Sequence, residues 1–153
     1  MSNRQQALAR KHLDKRLATL REAELAAPPR GWMKAIREAL GMSTRQLAMR
    51  MGVSPSRVPT IEKAEVTGAT TIRTLREAAE AMNCTFVYAF VPTKPLDDIL
   101  QDRAREKAHR ELARLDHTMK LEKQALRRVD IEDEKQRLIG RYLTGSLRQL
   151  WES

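Results

Sequence analysis

Residues 43–63, with the sequence STRQLAMRMGVSPSRVPTIEK, contain two short helical patterns on either side of a single glycine. Each pattern places its apolar residues on one helical face, because they are three or four positions apart. Gly52 permits the sharp turn between the two helices. Such a pair can place its second helix in the major groove of DNA. The residues predicted to face inward are Leu47, Ala48, Met51, Val58 and Ile61.

Two prolines four residues apart, Pro55 and Pro59, lie in the second helical pattern. Proline suits the first turn of a helix and disrupts the interior, because it lacks an N–H. Ser54 is a suitable N-cap, which would place Pro55 at the first helical position. Pro59 would then remove one hydrogen bond, at a cost of up to about 3 kcal/mol. We expect a helix from Pro55 that is loosened in its first turn. A helix that begins only at Pro59 would move base contacts toward Thr60 and Lys63.

The rest of the chain is also mainly helical in pattern. The fold class predicted is mostly α, a five-helix-type helix-turn-helix core with one short β-strand and long helical extensions at both ends. Ser43 is the expected N-cap of the helix that precedes Gly52. Further helices are predicted at 3–26, 32–40, 72–82, 95–129 and about 131–151. The predicted domains are an N-terminal extension (1–28), a helix-turn-helix domain (29–92) and a C-terminal region for dimer or partner contacts (93–153).

The segment TFVYAFV, at about 85–91, is β-branched and aromatic without a charge, which predicts a strand. A single strand leaves its backbone N–H and C=O groups unpaired. We therefore expect it to pair with its own copy in a homodimer, which suits paired DNA half-sites. A strand added by another protein, or a buried extended connector, are the alternatives. The residues of the pairing segment are Phe86, Val87, Tyr88, Ala89 and Phe90.

The long charged helix that follows the strand carries an apolar stripe rich in alanine. A stripe of this kind suits close packing of helices, and a freely solvated helix would leave it exposed. The helix could therefore complete the dimer or hold a partner protein.

The net charge of +9 favours a polyanionic partner, although a solvated basic surface would give the same charge. Residues 30–68 contain seven basic and three acidic side chains, a local excess of +4. One cysteine, the absence of a spanning apolar run and the absence of an apolar leader favour a cytoplasmic protein. The three histidines lack the neighbours of a metal site, and no serine has a nearby histidine. We expect no enzymatic activity, no catalytic or metal-binding residue and no cofactor.

The stretch MSTRQLAMRMGVSPSRVPTIEKAEVTGATTIRTLREAAEAM resembles the phage-repressor-like (XRE) class of helix-turn-helix proteins. Within that class the chain is most similar to the mobile mystery protein A family. That similarity lies in PPRGWMKAIREALGMSTRQLA, RTLREAAEAMNCTFVYAFVP and HTMKLEKQAL. Members of the family are typically paired genetically with a Fic-domain protein. The resemblance implies a DNA-binding repressor with an antitoxin-like role and a possible Fic-domain toxin as partner.

The resemblance also implies where DNA would be contacted. The class reads bases from the start of its second helix, while the start of the preceding helix contacts phosphates. Thr44 stands where the class often has Gln, so its backbone N–H would serve instead of a side-chain bond. The expected DNA-binding residues are Thr44, Arg45, Pro55, Ser56, Arg57, Thr60 and Lys63.

Direct inhibition of a Fic enzyme receives less support from the sequence. Some Fic-inhibiting partners carry Ser or Thr, three residues, Glu and then Gly or Asn on a helix. The segment TMKLEK, from Thr118, fits this motif except at Lys123. The alternative function is a protein-binding module that holds or neutralises a partner through its strand and C-terminal helices.

Overall fold

The computed structural model describes residues 1–121 and 128–153, and the chain divides into two compact units. One unit is formed by Glu24–Phe90, and the other by Met1–Ala23 together with Val91–Ser153. The described residues form helices and no strand, so the prediction of a mostly α fold is confirmed. The helices are α1 (Asn3–Ala23), α2 (Trp32–Ala39), α3 (Thr44–Met51), α4 (Arg57–Thr67), α5 (Ile72–Ala81), α6 (Leu96–Leu121) and α7 (Arg128–Thr144), followed by a 3₁₀ helix at Leu147–Leu150.

The Glu24–Phe90 unit packs α2 to α5 around one apolar core. The inward faces predicted for α3 and α4 are confirmed, although Met51 is only partly buried at the edge of the core. In α2 the helical spacing of Trp32 and Leu40 does not mark the buried face, because both side chains stay exposed while Met33 is buried. The buried core residues are Met33, Leu47, Ala48, Val58, Ile61, Ala78 and Met82.

Local signals define both ends of α3. The Ser43 hydroxyl accepts the Gln46 N–H at 3.1 Å, and the Gln46 side-chain oxygen accepts the Ser43 N–H at 2.8 Å. This reciprocal capping box satisfies two backbone donors that the helix itself leaves unpaired. Gly52 ends α3 with φ of 70°, a left-handed conformation that favours glycine. Both the Ser43 cap and the Gly52 turn are as predicted.

The second helix of the pair begins two residues later than the sequence suggested. Residues 54–57 form a turn in which the Arg57 N–H donates to the Ser54 carbonyl at 3.0 Å, and α4 begins at Arg57. Ser54 therefore does not cap a helix that starts at Pro55, and that prediction is wrong. Pro59 becomes the third residue of α4, where no N–H would have an intrahelical partner. The later start avoids the lost hydrogen bond that Pro59 would otherwise cause.

The strand predicted at 85–91 is absent from the single chain, whose described residues include no strand. The backbone of residues 85–90 makes no hydrogen bond to another described residue. A strand requires a hydrogen-bonded neighbour, and the described parts of this chain provide none. Val87, Tyr88 and Phe90 also stay exposed, so the segment is not a buried connector.

The other unit is built on the antiparallel packing of α6 against α7. Small residues of α6, Ala104 and Ala108, are fully buried, and they allow the two helices to approach closely. The 3₁₀ helix closes one end of this pair with the fully buried Leu150. The remaining core residues are Leu100, Leu112, Leu138, Ile139 and Tyr142.

Polar contacts attach α1 to the start of α6. The Asp14 carboxylate accepts the Leu96 N–H at 3.0 and 3.1 Å, and Arg10 pairs with Asp97 at 2.5 Å. Arg21 donates to the Pro92 carbonyl at 2.8 Å. No side chain of α1 is buried, so its leucines lie on the surface rather than in a core.

Candidate nucleic-acid interface

The residues predicted to contact DNA lie on α3, on the turn before α4 and on α4 itself. Thr44 and Arg45 open α3, and Thr44 is the one member of the set that is half-buried. Pro55 and Ser56 form the turn before α4, whereas Arg57, Thr60 and Lys63 belong to that helix. All members other than Thr44 are exposed, and Val58 and Ile61 face the core.

The basic members of this set are free of internal partners. The side chains of Arg45, Arg57 and Lys63 make no hydrogen bond or ion pair with any residue in the described parts of the chain. Binding an anion would therefore break no existing ion pair among those residues. The Thr60 hydroxyl donates to the Ser56 carbonyl at 3.1 Å, so its oxygen is left as an acceptor.

A buried ion pair joins α4 to α2. Arg37 Nε donates to Glu62 Oε1 at 2.6 Å, and Arg37 Nη2 donates to Glu62 Oε2 at 3.3 Å. Arg37 Nη1 also donates to the Met42 carbonyl at 2.9 Å. The hydrogen bond to Glu62 raises the pKa of Arg37, so the guanidinium stays charged. Because both side chains are buried, the pair holds the inner face of α4 in one position.

A second carboxylate of α4 holds the N-terminus of α2. Glu65 accepts the Trp32 N–H at 2.9 Å and the Met33 N–H at 3.1 Å. These N–H groups have no partner within α2, and a negative charge there is favoured by the helix dipole. Gly31 lies directly against this contact with φ of 88°, and a Cβ there would stand 2.4 Å from Glu65 Oε2. The positive φ favours glycine at position 31, and a Cβ there would displace the Glu65 carboxylate from its contact with α2.

The two carboxylates together fix the orientation of α4. Glu62 and Glu65 both bond to α2, and the apolar residues of α4 pack into the same core. The exposed face of α4 is thus presented by a rigid support, which is what a recognition surface requires. Glu62 is paired with Arg37 and Glu65 is bound to backbone N–H groups, so both carboxylates are engaged with α2.

Two further basic residues, Arg30 and Lys34, lie near α4, and the predicted set did not include them. With Pro59 and Lys63 they line a shallow surface depression of about 410 Å³. Neither Arg30 nor Lys34 has a partner among the described residues. The local basic excess was the available signal, but only the fold of α2 against α4 brings these charges beside Lys63.

The described residues include neither a membrane-spanning helix nor a metal-binding cluster. No helix within residues 1–121 and 128–153 is long and apolar enough to cross a membrane. The same residues hold no group of three or more His, Cys, Asp or Glu that could bind a metal ion. The segment compared with Fic-inhibiting helices ends at Glu122 and Lys123, which lie outside the described residues.

The comparison with family models agrees with this geometry. Residues 33–88 match the family model described as helix-turn-helix, and the matched range contains α3, α4 and α5 and nearly all of α2. The match supports a DNA-binding regulator of the XRE type. A search of the curated proteins and a search of the solved structures each returned no match.

Proposed function

We propose that this protein is a sequence-specific transcriptional repressor that binds the DNA upstream of its own gene. The observation that carries the proposal is the exposed face of α4, whose basic side chains are unpaired while its inner face is held by Glu62 and Glu65. Arg57 and Thr60 are the proposed base-reading residues, because arginine can donate two hydrogen bonds to guanine and threonine can serve several bases. Ser56 and Pro55 bring the backbone before α4 close to the DNA.

Phosphate contacts would surround this base-reading surface. Arg45 and the backbone N–H groups at the start of α3 would contact phosphates of one DNA strand. Lys63, Arg30 and Lys34 would contact phosphates in another part of the DNA backbone. Such contacts position the protein and carry no sequence information directly. They would dominate the salt dependence of binding.

The test measures binding of the upstream DNA and of a shuffled duplex by fluorescence anisotropy over a range of salt concentrations. Arg57→Ala is expected to weaken binding to the operator by about 1–3 kcal/mol and to reduce the preference over shuffled DNA. Lys63→Ala should weaken both duplexes alike and lower the salt slope by about one. Arg137→Ala is the charge-matched control, since Arg137 is 79% exposed in the other unit. Equal affinity of the wild type for both duplexes would exclude sequence-specific repression.

The surface of α1 favours a second candidate function, which is the binding of a Fic-domain protein in an antitoxin-like role. Three leucines of α1 are exposed, at 56% for Leu8, 46% for Leu13 and 37% for Leu20. Leu13 and Leu20, seven residues apart, lie on one helical face, and exposed leucines of this kind occur at protein-binding surfaces. The family resemblance names a Fic-domain protein as the partner to test.

Co-expression with the product of the adjacent gene tests this second function. A stable complex should survive purification, and the triple variant with Leu8, Leu13 and Leu20 changed to Ser should lose it. The variant should keep the thermal unfolding of the wild type, because none of the three side chains is buried. Purification of two separate proteins from the wild-type co-expression would count against this function without affecting DNA binding.

A further inference from the structure

An apolar groove of about 270 Å³ lies between α2 and α5 of the Glu24–Phe90 unit, away from the basic face of α4. Leu25 and Trp32 on its rim are 75% and 42% exposed, so the groove is open to solvent. Other apolar side chains that line it are Ile36, Leu75, Met82 and Phe86.

The segment after α5 leads from this groove into solvent. Residues 84–87 line the groove, whereas Tyr88 is 60% exposed and Phe90 is 90% exposed. The rings of Phe86 and Tyr88 stack, with centroids 6.2 Å apart and planes at 26°. Alternate residues of a strand share one face, so Phe90 would lie on the face of Phe86 and Tyr88 once the segment pairs as a strand.

This segment combines exposed side chains with backbone groups that have no partner in the described chain. No N–H or C=O group of residues 85–90 bonds to another described residue. Antiparallel pairing with an identical segment would give hydrogen-bond partners to the N–H and C=O groups of alternate residues in each copy. Residues 84–93 carry no charge, so two copies would meet without like-charge repulsion.

We propose that two copies of this protein pair residues 85–91 antiparallel about a two-fold axis at Tyr88, and that Phe90 of each copy covers the apolar groove of the other. In this register Phe90 lies opposite the partner's Phe86, because the two residue numbers lie equally far from Tyr88. Opposite residues have Cβ atoms about 4.5–5.5 Å apart. Phe86 lines the groove, so the register brings each Phe90 to the groove of the other copy.

The surface available is close to what a specific dimer needs. A covered aromatic side chain buries about 150–250 Å². Tyr88, Phe90 and Trp32 are 60%, 90% and 42% exposed, so covering them in both copies would remove about 600–950 Å². The upper end of this range is close to the lower limit for a specific interface. A dimer of this kind could bind two DNA half-sites, and this use of the dimer rests on the proposed DNA-binding function.

Cysteine cross-linking tests the register in the full chain. The background carries Cys84→Ser, which removes the single native cysteine. Tyr88→Cys should form a disulfide dimer under mild oxidation, because each position 88 faces its own copy. Ala89→Cys is the matched control: its two copies would stand about 8 Å apart, further than a disulfide spans. Cross-linking of Ala89→Cys as efficient as that of Tyr88→Cys would overturn the register.

Sedimentation equilibrium tests the groove contact in the native sequence. The wild type should be a dimer, and Phe90→Asp should raise the dimer dissociation constant at least about 30-fold. Phe90→Leu should raise it less, since it keeps an apolar side chain for the groove. Circular dichroism should stay unchanged, because Phe90 is 90% exposed in the single chain.

These outcomes separate the dimer from DNA binding. A wild type that is monomeric and still selects its operator would overturn the dimer and leave the repressor function standing. A wild-type dimer that shows no preference for operator DNA would do the reverse. If both proposals are right, Phe90→Asp should keep its affinity for a single half-site and lose the added affinity for paired half-sites.

Discussion

Replacing Glu62 by alanine should remove a large part of the free energy of unfolding of the helix-turn-helix unit. The change leaves the buried guanidinium of Arg37, whose residue is 8% exposed, without its anionic partner. Removing one member of a buried ion pair costs about 3–5 kcal/mol, because the remaining charge is neither solvated nor paired. A folded domain is stable by only about 5–15 kcal/mol, so the loss would be a large part of the total.

The assay must report on this unit alone. The chain has two tryptophans, Trp32 in this unit and Trp151 in the other, so a Trp151→Phe background leaves the fluorescence of Trp32 as the probe. Urea titrations of Glu62→Ala in that background should show a midpoint well below that of the parent at the same slope.

Two further variants test the cause of the loss. Glu38 lies 4.0 Å from Arg37 but is 53% exposed, so Glu38→Ala should cost less than about 1 kcal/mol. The double variant Arg37→Met with Glu62→Leu should recover most of the stability, since it removes both buried charges together. A loss below about 1 kcal/mol for Glu62→Ala would refute the view that this ion pair holds α4.

Three other outcomes follow from the geometry. Gly31→Ala should destabilise the same unit by about 1–3 kcal/mol, since position 31 has φ of 88° and a Cβ there would push the Glu65 carboxylate from its hydrogen bonds. The urea midpoint, read by Trp32 fluorescence, measures this loss. Burial and a hydrogen bond to a carboxylate raise the pKa of Tyr142 to about 12. The unfolded value is about 10, so the stability that neutral Tyr142 contributes is complete below about pH 10 and is lost as the pH rises toward 12. Relative to Tyr142→Phe, the wild type should lose about 2–3 kcal/mol over that range in urea titrations. Changing both Arg30 and Lys34 to Ala should lower the salt slope of DNA binding by up to about two without changing the preferred sequence, and an unchanged slope would place both residues away from DNA.

Much of the helix-turn-helix pair could be predicted from short-range sequence patterns. Ser43, Gly52 and the spacing of Val58 and Ile61 act within a few residues, and the structure has each as expected. Trp32 shows where such patterns fail. A short apolar helix offers two neighbouring faces, and the choice of Met33 over Trp32 for the core depends on what α4 and α5 place against it.

The proposed DNA-binding residues of α4 could be selected from the sequence, because they are the side chains that remain outside once the inner face of the helix is known. Lys34 could not be placed in the same way. Its position beside Lys63 depends on the packing of α2 against α4, which no local pattern encodes.

The sequence by itself determined the helical class, the turn at Gly52 and the basic excess, since periodicity, backbone freedom and charge are local or additive properties. Only the tertiary structure decided that α4 begins at Arg57, that Arg37 and Glu62 meet across 25 residues and that residues 85–90 find no partner in the described chain. Each of these depends on groups that are distant along the chain, or that would belong to a second copy. A proline at position 59 is compatible with several helix starts, and the packing of Val58 and Ile61 selects one of them.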